Sequence, residues 1–451
     1  MSKLTPLRAR RRRYTIFGCA GIVVCLALAG VMFYNIPAIN DRLAWRVELW
    51  MESAREFFLP PQAEVLPTSA ATRGAPPTLV VQLPTATLAV TPIANATSAP
   101  PTQTLPPTQT PTPLLLPPHA TLEGARYEPQ LLNNCGPATL TGALVFWGWR
   151  GAEPDSLKWY GNKVDVRWQK DIAALIKPER ADKNVSATEL AAFAREQAGL
   201  GAVVRHSGDV EKIKLFVAGG FPVILERAFL EAEHQQAGQG WEGHYSLVTG
   251  YDDEAQAFIT QDSFKGPDYR RGYAAMALDW RAFNYLYLVL YPPDRESEAL
   301  ALLGADADPQ TNLIHALALA QTETQTLTDD EQLTFAWHNA GVSLYHLGRS
   351  AEAAAAFDQA RSYNSLPWRM LWYQHEMYAA YFDAGRYQEI SDLATALLVK
   401  PGLEESYYWR ARADYALGDA ESAEADMRAA LVEHPNWKAA LEVMREWGVR
   451  P

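Results

Sequence analysis

The sequence predicts a multidomain chain: an N-terminal transmembrane helix, a disordered Pro/Thr-rich linker, an α+β domain and an all-α carboxy-terminal domain. Three observations carry this. An uncharged, largely apolar run extends from Tyr14 to Asn40. Between Pro60 and Pro118 lie 15 of the chain's 30 prolines. Beyond the linker, strand-and-helix patterning gives way near Glu296 to an Ala-rich helical pattern in which a short motif recurs. At 451 residues the chain exceeds the usual size of a single core.

The first element is a basic tail, 1–13, with Lys3, Arg8 and Arg10 to Arg13. It precedes a segment, 14–36, long enough to cross a bilayer as a helix. The basic cluster should stay cytoplasmic, which places the remainder outside the cytoplasm in a single-pass topology. Ala27-Leu28-Ala29 offers a signal-peptide cleavage site, but the apolar run continues past it, so an uncleaved anchor is expected. The first 40 residues contribute +6, so the rest carries −18 against −12 for the whole chain. That balance argues against nucleic-acid binding. Residues 37–59, with Trp45, Leu49, Trp50 and Phe57 among charges, predict a short juxtamembrane helix. The linker, 60–120, carries only Glu64 and Arg73 as charges up to Pro118. It is expected to be an extended spacer with a reach on the order of 150 Å.

The domain expected at 121–294 is organised around Gln130-Leu-Leu-Asn-Asn-Cys135-Gly136-Pro137. Cys135 is the one cysteine outside the apolar segment that holds Cys19 and Cys25. Gly136 permits a tight turn, Pro137 suits a helix start, and Thr139 to Trp147 can form a buried helix. A thiol at a helix N-terminus sees the positive end of the dipole, which favours the nucleophilic thiolate. Such a nucleophile needs a base and an orienting group. His244 to Tyr251 and Ala257 to Asp262 read as two strands around a polar turn. Folded symmetrically about Asp253, they place His244 directly opposite Asp262, within hydrogen-bond reach. Gln130 can donate to an oxyanion together with the Cys135 backbone N–H. His206 and His234 are expected at the surface. Ser186 opens a capping box, Val210–Ala218 is a helix, and Pro222–Glu226 is a buried strand. Trp147, Trp149, Trp159, Trp168 and Tyr245 are expected in the core. No metal site or cofactor is expected, because the lone cysteine and scattered histidines lack zinc spacing.

In 295–451 the recurring motif is Leu347-Gly348-Arg-Ser-Ala-Glu, Ala384-Gly385-Arg-Tyr-Gln-Glu and Leu417-Gly418-Asp-Ala-Glu, with glycines 37 and 33 residues apart. This spacing resembles tetratricopeptide repeats, with Trp337, Gly341, Ala353, Phe357 and Ala360 at family positions. A preceding helix over Leu313–Ala320 and a capping helix over Trp437–Trp447 complete the array. Such arrays stack a continuous core and present a groove for a protein partner.

The segments Asn-Cys135-Gly-Pro-Ala-Thr-Leu, 219–225 (Gly-Gly-Phe-Pro-Val-Ile-Leu), Gly243-His244-Tyr-Ser-Leu-Val-Thr-Gly and Gln261-Asp262-Ser-Phe together resemble the double-glycine (bacteriocin-leader) peptidase-like group of papain-type cysteine peptidases. The resemblance spans about Tyr127 to Pro293. It implies a papain-like α+β domain with Cys135 on a helix, His244 and Asp262 on an antiparallel sheet, and Gln130 as oxyanion-hole residue. The chain has no Walker-type glycine loop, so leader processing within a transporter is not implied. The expected activity is that of a membrane-anchored extracytoplasmic cysteine peptidase acting on a peptide or protein. A transpeptidase or acyltransferase using the same thiol, or an inactive binding module displayed on a stalk, are the alternatives.

Overall fold

A computed structural model describes residues 30, 65–69, 116–151, 167–177, 182–229, 241–398 and 403–450. The expected span at 14–36 lies outside them apart from Gly30, as do 37–59, His234 and Trp159. Among the described residues no helix is long and apolar enough to cross a membrane.

The α+β domain is built on one antiparallel sheet. Its strands are β1 (His119–Thr121), β2 (Gly201–Arg205), β3 (Val223–Phe229), β4 (Glu242–Asp252), β5 (Ala257–Asp262), β6 (Gly266–Gly272) and β7 (Tyr287–Tyr291). The order is β2-β7-β3-β4-β5-β6, with β1 paired to β4. Strands β3, β5 and β7 are buried along their whole length, as expected for strands covered on both faces. Helices α1 (Cys135–Phe146), α2 (Arg167–Ile176) and α3 (Ala187–Glu196) pack as one layer around Leu140, Leu144, Ile172 and Leu190. Helix α4 (Val210–Ala218) and α5 (Tyr273–Arg281) belong to a second apolar cluster built on Phe216, Phe258 and Trp280. The capping box of Ser186 and Glu189 opens α3 as expected, and α4 has the expected bounds.

The β4–β5 register departs from the symmetric hairpin. Near the turn Asp252 faces Ala257 and Gly250 faces Ile259, whereas beyond it Val248 faces Thr260 and Leu247 faces Gln261. Thr249 is therefore an extra residue in β4, a β-bulge. One step further on, Ser246 falls opposite Asp262, and His244 sits diagonally, two residues away. Because side chains alternate faces, His244 and Ser246 still share the face of Asp262. The expected direct opposition is thus replaced by a diagonal one. The physical reason is a wider turn, 253–256, combined with the bulge.

The carboxy-terminal part is helical: α6 (Glu296–Leu303), α7 (Pro309–Thr326), α8 (Asp330–His346), α9 (Ser350–Ser362), α10 (Glu376–Asp383), α11 (Tyr387–Leu397), α12 (Glu404–Leu417), α13 (Ala420–Glu433) and α14 (Lys438–Glu446). Helices α8 and α9, α10 and α11, and α12 and α13 pack as consecutive pairs. The three recurring glycines sit in the turns within those pairs, with φ of 74° at Gly348, 72° at Gly385 and 94° at Gly418. Only glycine takes that left-handed conformation without steric cost. Gly341 serves another need, since a Cβ there would lie 2.6 Å from the Phe357 ring.

The two parts share a core. Ala228, Ala282 and Phe283 of the α+β domain join the cluster that contains Phe335, Phe357, Trp372 and Tyr378. Asn339 Nδ2 donates to Arg281 O at 2.8 Å, and Gln374 Nε2 to Ala282 O at 2.9 Å. Within the expected linker, residues 65–69 dock on the helical domain. Leu66 is 1% exposed in that shared cluster, its N–H donates to Leu366 O at 2.8 Å, and Arg361 Nε donates to Pro67 O at 2.8 Å. At the other end His119 and Ala120 already belong to β1. Residues 65–69 and 119–120 of the expected spacer are therefore structured, because Leu66 and the β1 backbone find burial and partners there.

Replacing Gly341 by valine forces a branched side chain into the Phe357 ring and should lower stability by about 1–3 kcal/mol. Urea unfolding of the two proteins measures this, and an unchanged midpoint would contradict the packing described.

Candidate active site

The segment before Cys135 is held by α2. Gln169, fully buried, donates from Nε2 to Glu128 Oε1 at 2.7 Å and to Pro129 O at 2.9 Å. Its Oε1 accepts the Leu131 N–H at 2.7 Å. Lys177 Nζ donates to Asn133 O at 2.8 Å. The tight turn is made by Asn133 (φ 55°) rather than by Gly136. Gly136 lies inside the helix and is small for a different reason: a Cβ there would lie 2.3 Å from Val185 Cγ1. Pro137 lies in the first turn, where its missing N–H costs no helical bond.

Helix α1 starts at Cys135 with no side-chain cap, so its first N–H groups have no partner within the helix, and that of Gly136 turns to the Cys135 thiol. It is drawn onto β4 by Thr139 Oγ1, which donates to Tyr245 O at 3.1 Å. At Gly142 a Cβ would meet Arg126 O at 2.7 Å, so only glycine lets the helix approach this closely. Cys135, His244 and Gln130 all line one pocket. The structure therefore brings three of the four expected residues to a common cleft, with Asp262 directly behind His244.

His244 Nε2 lies 3.1 Å from both Asp262 Oδ1 and Oδ2. The pair is 1% and 0% exposed. Asp262 Oδ2 also accepts from Ser246 Oγ at 2.9 Å and from Arg227 Nη2 at 3.4 Å. Its Oδ1 accepts the Phe264 and Lys265 N–H groups at 3.0 and 2.8 Å. Burial alone would raise this carboxyl, yet the His244 charge and hydrogen bond, the Arg227 charge and the Lys265 N–H hold it well below the usual range. An ionised carboxylate has no proton to give, so Nε2 carries the hydrogen, and in the neutral form of the ring Nδ1 is the proton-accepting nitrogen. Phe229 packs on the imidazole at 4.2 Å between ring centroids. Gln130 is fixed through its N–H to Ser263 O at 3.0 Å and by the Ser263 hydroxyl, which donates to its Oε1 at 2.9 Å. That leaves its NH2 as the donor end.

The thiol behaves otherwise than the helix dipole suggests. Burial pushes Cys135 up from 9.0 to about 11, against the N–H groups of Tyr245 and Gly136 and the Lys177 charge, while Glu226 adds to the rise. Desolvation outweighs the helix terminus, so the resting group is a thiol. Glu226, whose neighbour on β4 is Tyr245, is itself raised from 4.5 to about 8 by burial.

Several participants are invisible in sequence. Tyr373, from the helical domain, lines the cleft and packs on Trp241 and Phe283 with ring centroids 6.0 and 5.8 Å away. A Cβ on Gly243 would lie 3.0 Å from its ring, so glycine beside His244 makes room for it. Arg227 bridges Asp262 and Asp279, and the only sequence signal was a charged pair, Glu226-Arg227, ending an apolar strand. His206 is not a free surface residue. It is half-buried between the domains, stacked 6.3 Å from His346, and burial pushes it down to about 4.

Alkylation of Cys135 by iodoacetamide should be slow at neutral pH and keep rising above pH 9, and a midpoint below 7 would show a preformed thiolate instead. Glu226 supplies a second test. A carboxyl raised on folding contributes most stability below its unfolded value of 4.5 and loses it as pH rises toward about 8. Glu226→Gln should therefore raise the melting temperature over wild type at pH 8 and leave it unchanged at pH 4, as read by thermal unfolding at the two values.

No curated protein matches the chain at a significant level. Among solved structures, a protein of Bacillus anthracis assigned as a C39-like peptidase aligns over 38% of this chain and 96% of its own, at 14% identity and a TM-score of 0.29. Xylellain, a cysteine protease from Xylella fastidiosa, aligns over 39% of this chain and 87% of its own, at 16% identity and a TM-score of 0.25. Residues 122–288, which contain the whole constellation around Cys135, match the model of the Peptidase_C39 like family.

Proposed function

We propose that this chain is a cysteine peptidase in which Cys135 attacks an amide carbonyl and His244 moves the proton. The observation that carries this reading is the His244–Asp262 contact at 3.1 Å, with Cys135 and Gln130 in the same cleft, within the region that matches the family. On substrate binding, Nδ1 of His244 takes the thiol proton as sulfur adds to the carbonyl carbon. The resulting oxyanion is met by the Gln130 NH2 and the Cys135 backbone N–H. The proton then passes to the leaving amine, the C–N bond breaks, and a thioester remains for water to hydrolyse. A raised resting thiol suits this order, with proton transfer coupled to attack. Membrane anchoring through 14–36, placement outside the cytoplasm, and tetratricopeptide-like partner binding by the helical domain complete the proposal. They rest on the apolar run, the basic tail and the glycine-marked helix pairs.

The same raised thiol favours a second reading, an inactive binding module. Incubation of the purified chain with a peptide library, with products identified by mass spectrometry, separates the two. Cys135→Ala and His244→Ala should abolish cleavage, and Asp262→Asn should slow it by about 100- to 10,000-fold. Thermal unfolding of each variant reports that the fold is kept. Wild-type turnover by folded His244→Ala or Asp262→Asn would remove the assigned roles, and no cleavage by wild type would favour the module.

A further inference from the structure

Apart from the Cys135 cleft, a second cluster of ionisable groups lies where the two domains meet. Asp182 precedes α3, Glu189 lies in its first turn, and Glu404 and Glu405 open α12. Asp182 and Glu404 are 1% and 3% exposed. The facing basic groups are Lys177, with Nζ 4.0 Å from Asp182 Oδ1, His434, with Nδ1 3.3 Å from Glu404 Oε1, and His375, with Nε2 3.9 Å from Glu405 Oε2. Lys177 also serves the Asn133 carbonyl, and Glu189 serves the Ser186 cap.

One atom of this cluster has no role in the protein's own bonding. Glu404 Oε2 is buried and meets no hydrogen-bond donor among the described residues. An unmatched buried carboxylate oxygen is costly unless something binds it. One ligand atom each from Asp182, Glu404 and His434 lies within 4.8 Å of the other two. The four carboxyls share this site with one lysine and two histidines.

We propose that Asp182, Glu404 and His434 form a binding site for a divalent metal ion of the manganese or zinc class, joining the α+β domain to the helical domain. Two carboxylate oxygens and one imidazole nitrogen suit these ions, whereas calcium and magnesium favour oxygen ligands alone. Binding takes the Nδ1 lone pair of His434, and any proton there leaves to solvent. The ring is already oriented by stacking on Trp437, 5.7 Å between centroids. Asp182 lies two residues from Asn184, which lines the cleft and donates to Trp372 O. An ion here would therefore fix the cleft rim as well as the domain contact. The ligands come from three distant stretches, which is why sequence spacing gave no sign of them.

Manganese is the better probe, because zinc also attacks the thiol. Titration of the full chain with MnCl2, followed by loss of the free-ion electron paramagnetic resonance signal, should show one bound ion per chain. Glu404→Gln and His434→Ala should each weaken binding by more than about tenfold, and Cys135→Ala should bind as wild type does. In EDTA, thermal unfolding of each variant reports that the fold is kept. Absence of binding by wild type, or equal binding by wild type and both ligand variants, overturns the site.

Discussion

Which face of the sheet the imidazole occupies relative to Asp262 depends on one extra residue. Without the bulge at Thr249, the spacing set by the four-residue turn 253–256 would leave His244 and Asp262 on opposite faces. The bulge restores the parity, and everything around it follows. Asp262 can then collect the Ser246, Arg227, Phe264 and Lys265 donors and stay ionised. An ionised Asp262 holds the hydrogen on Nε2, which makes Nδ1 the basic nitrogen of the neutral ring. A deformation in a β-ladder that contacts no substrate is thus the element on which the chemistry rests.

The helical domain is part of the cleft as well as a neighbour of it. Its Tyr373 stands against Trp241 and Phe283, and its Arg369 holds Glu242 at 2.6 Å, two residues from His244. The shared core means that the relative position of the domains is set by packing. Burial of the thiol follows from this enclosure. A site more open on the Tyr373 side would desolvate Cys135 less and let the helix terminus act on it more strongly.

Much of this arrangement was legible in the residues. The capping box at Ser186, the helix Val210–Ala218 and the strand pair leading from His244 to Asp262 follow from local rules, since caps and alternation act within a few residues. The recurring glycines at 348, 385 and 418 lie in turns between paired helices. What sequence did not reveal is non-local. A bulge is one residue in a ladder and leaves no compositional trace. Gly136 looked like a turn residue and is instead a clearance residue, because its crowding comes from Val185, far along the chain. Tyr373, Gln169 and Lys177 reach the site only through folding. The thiol was misjudged for the same reason: its helix is local, whereas the atoms that bury it are not.

The docking of Leu66 has a mechanical consequence. Residues 65–69 are clipped to the helical domain, and His119–Thr121 is stitched into the sheet. Both anchors therefore lie on the same body, so the number of residues that separates them in sequence does not set how far that body stands from what precedes residue 65.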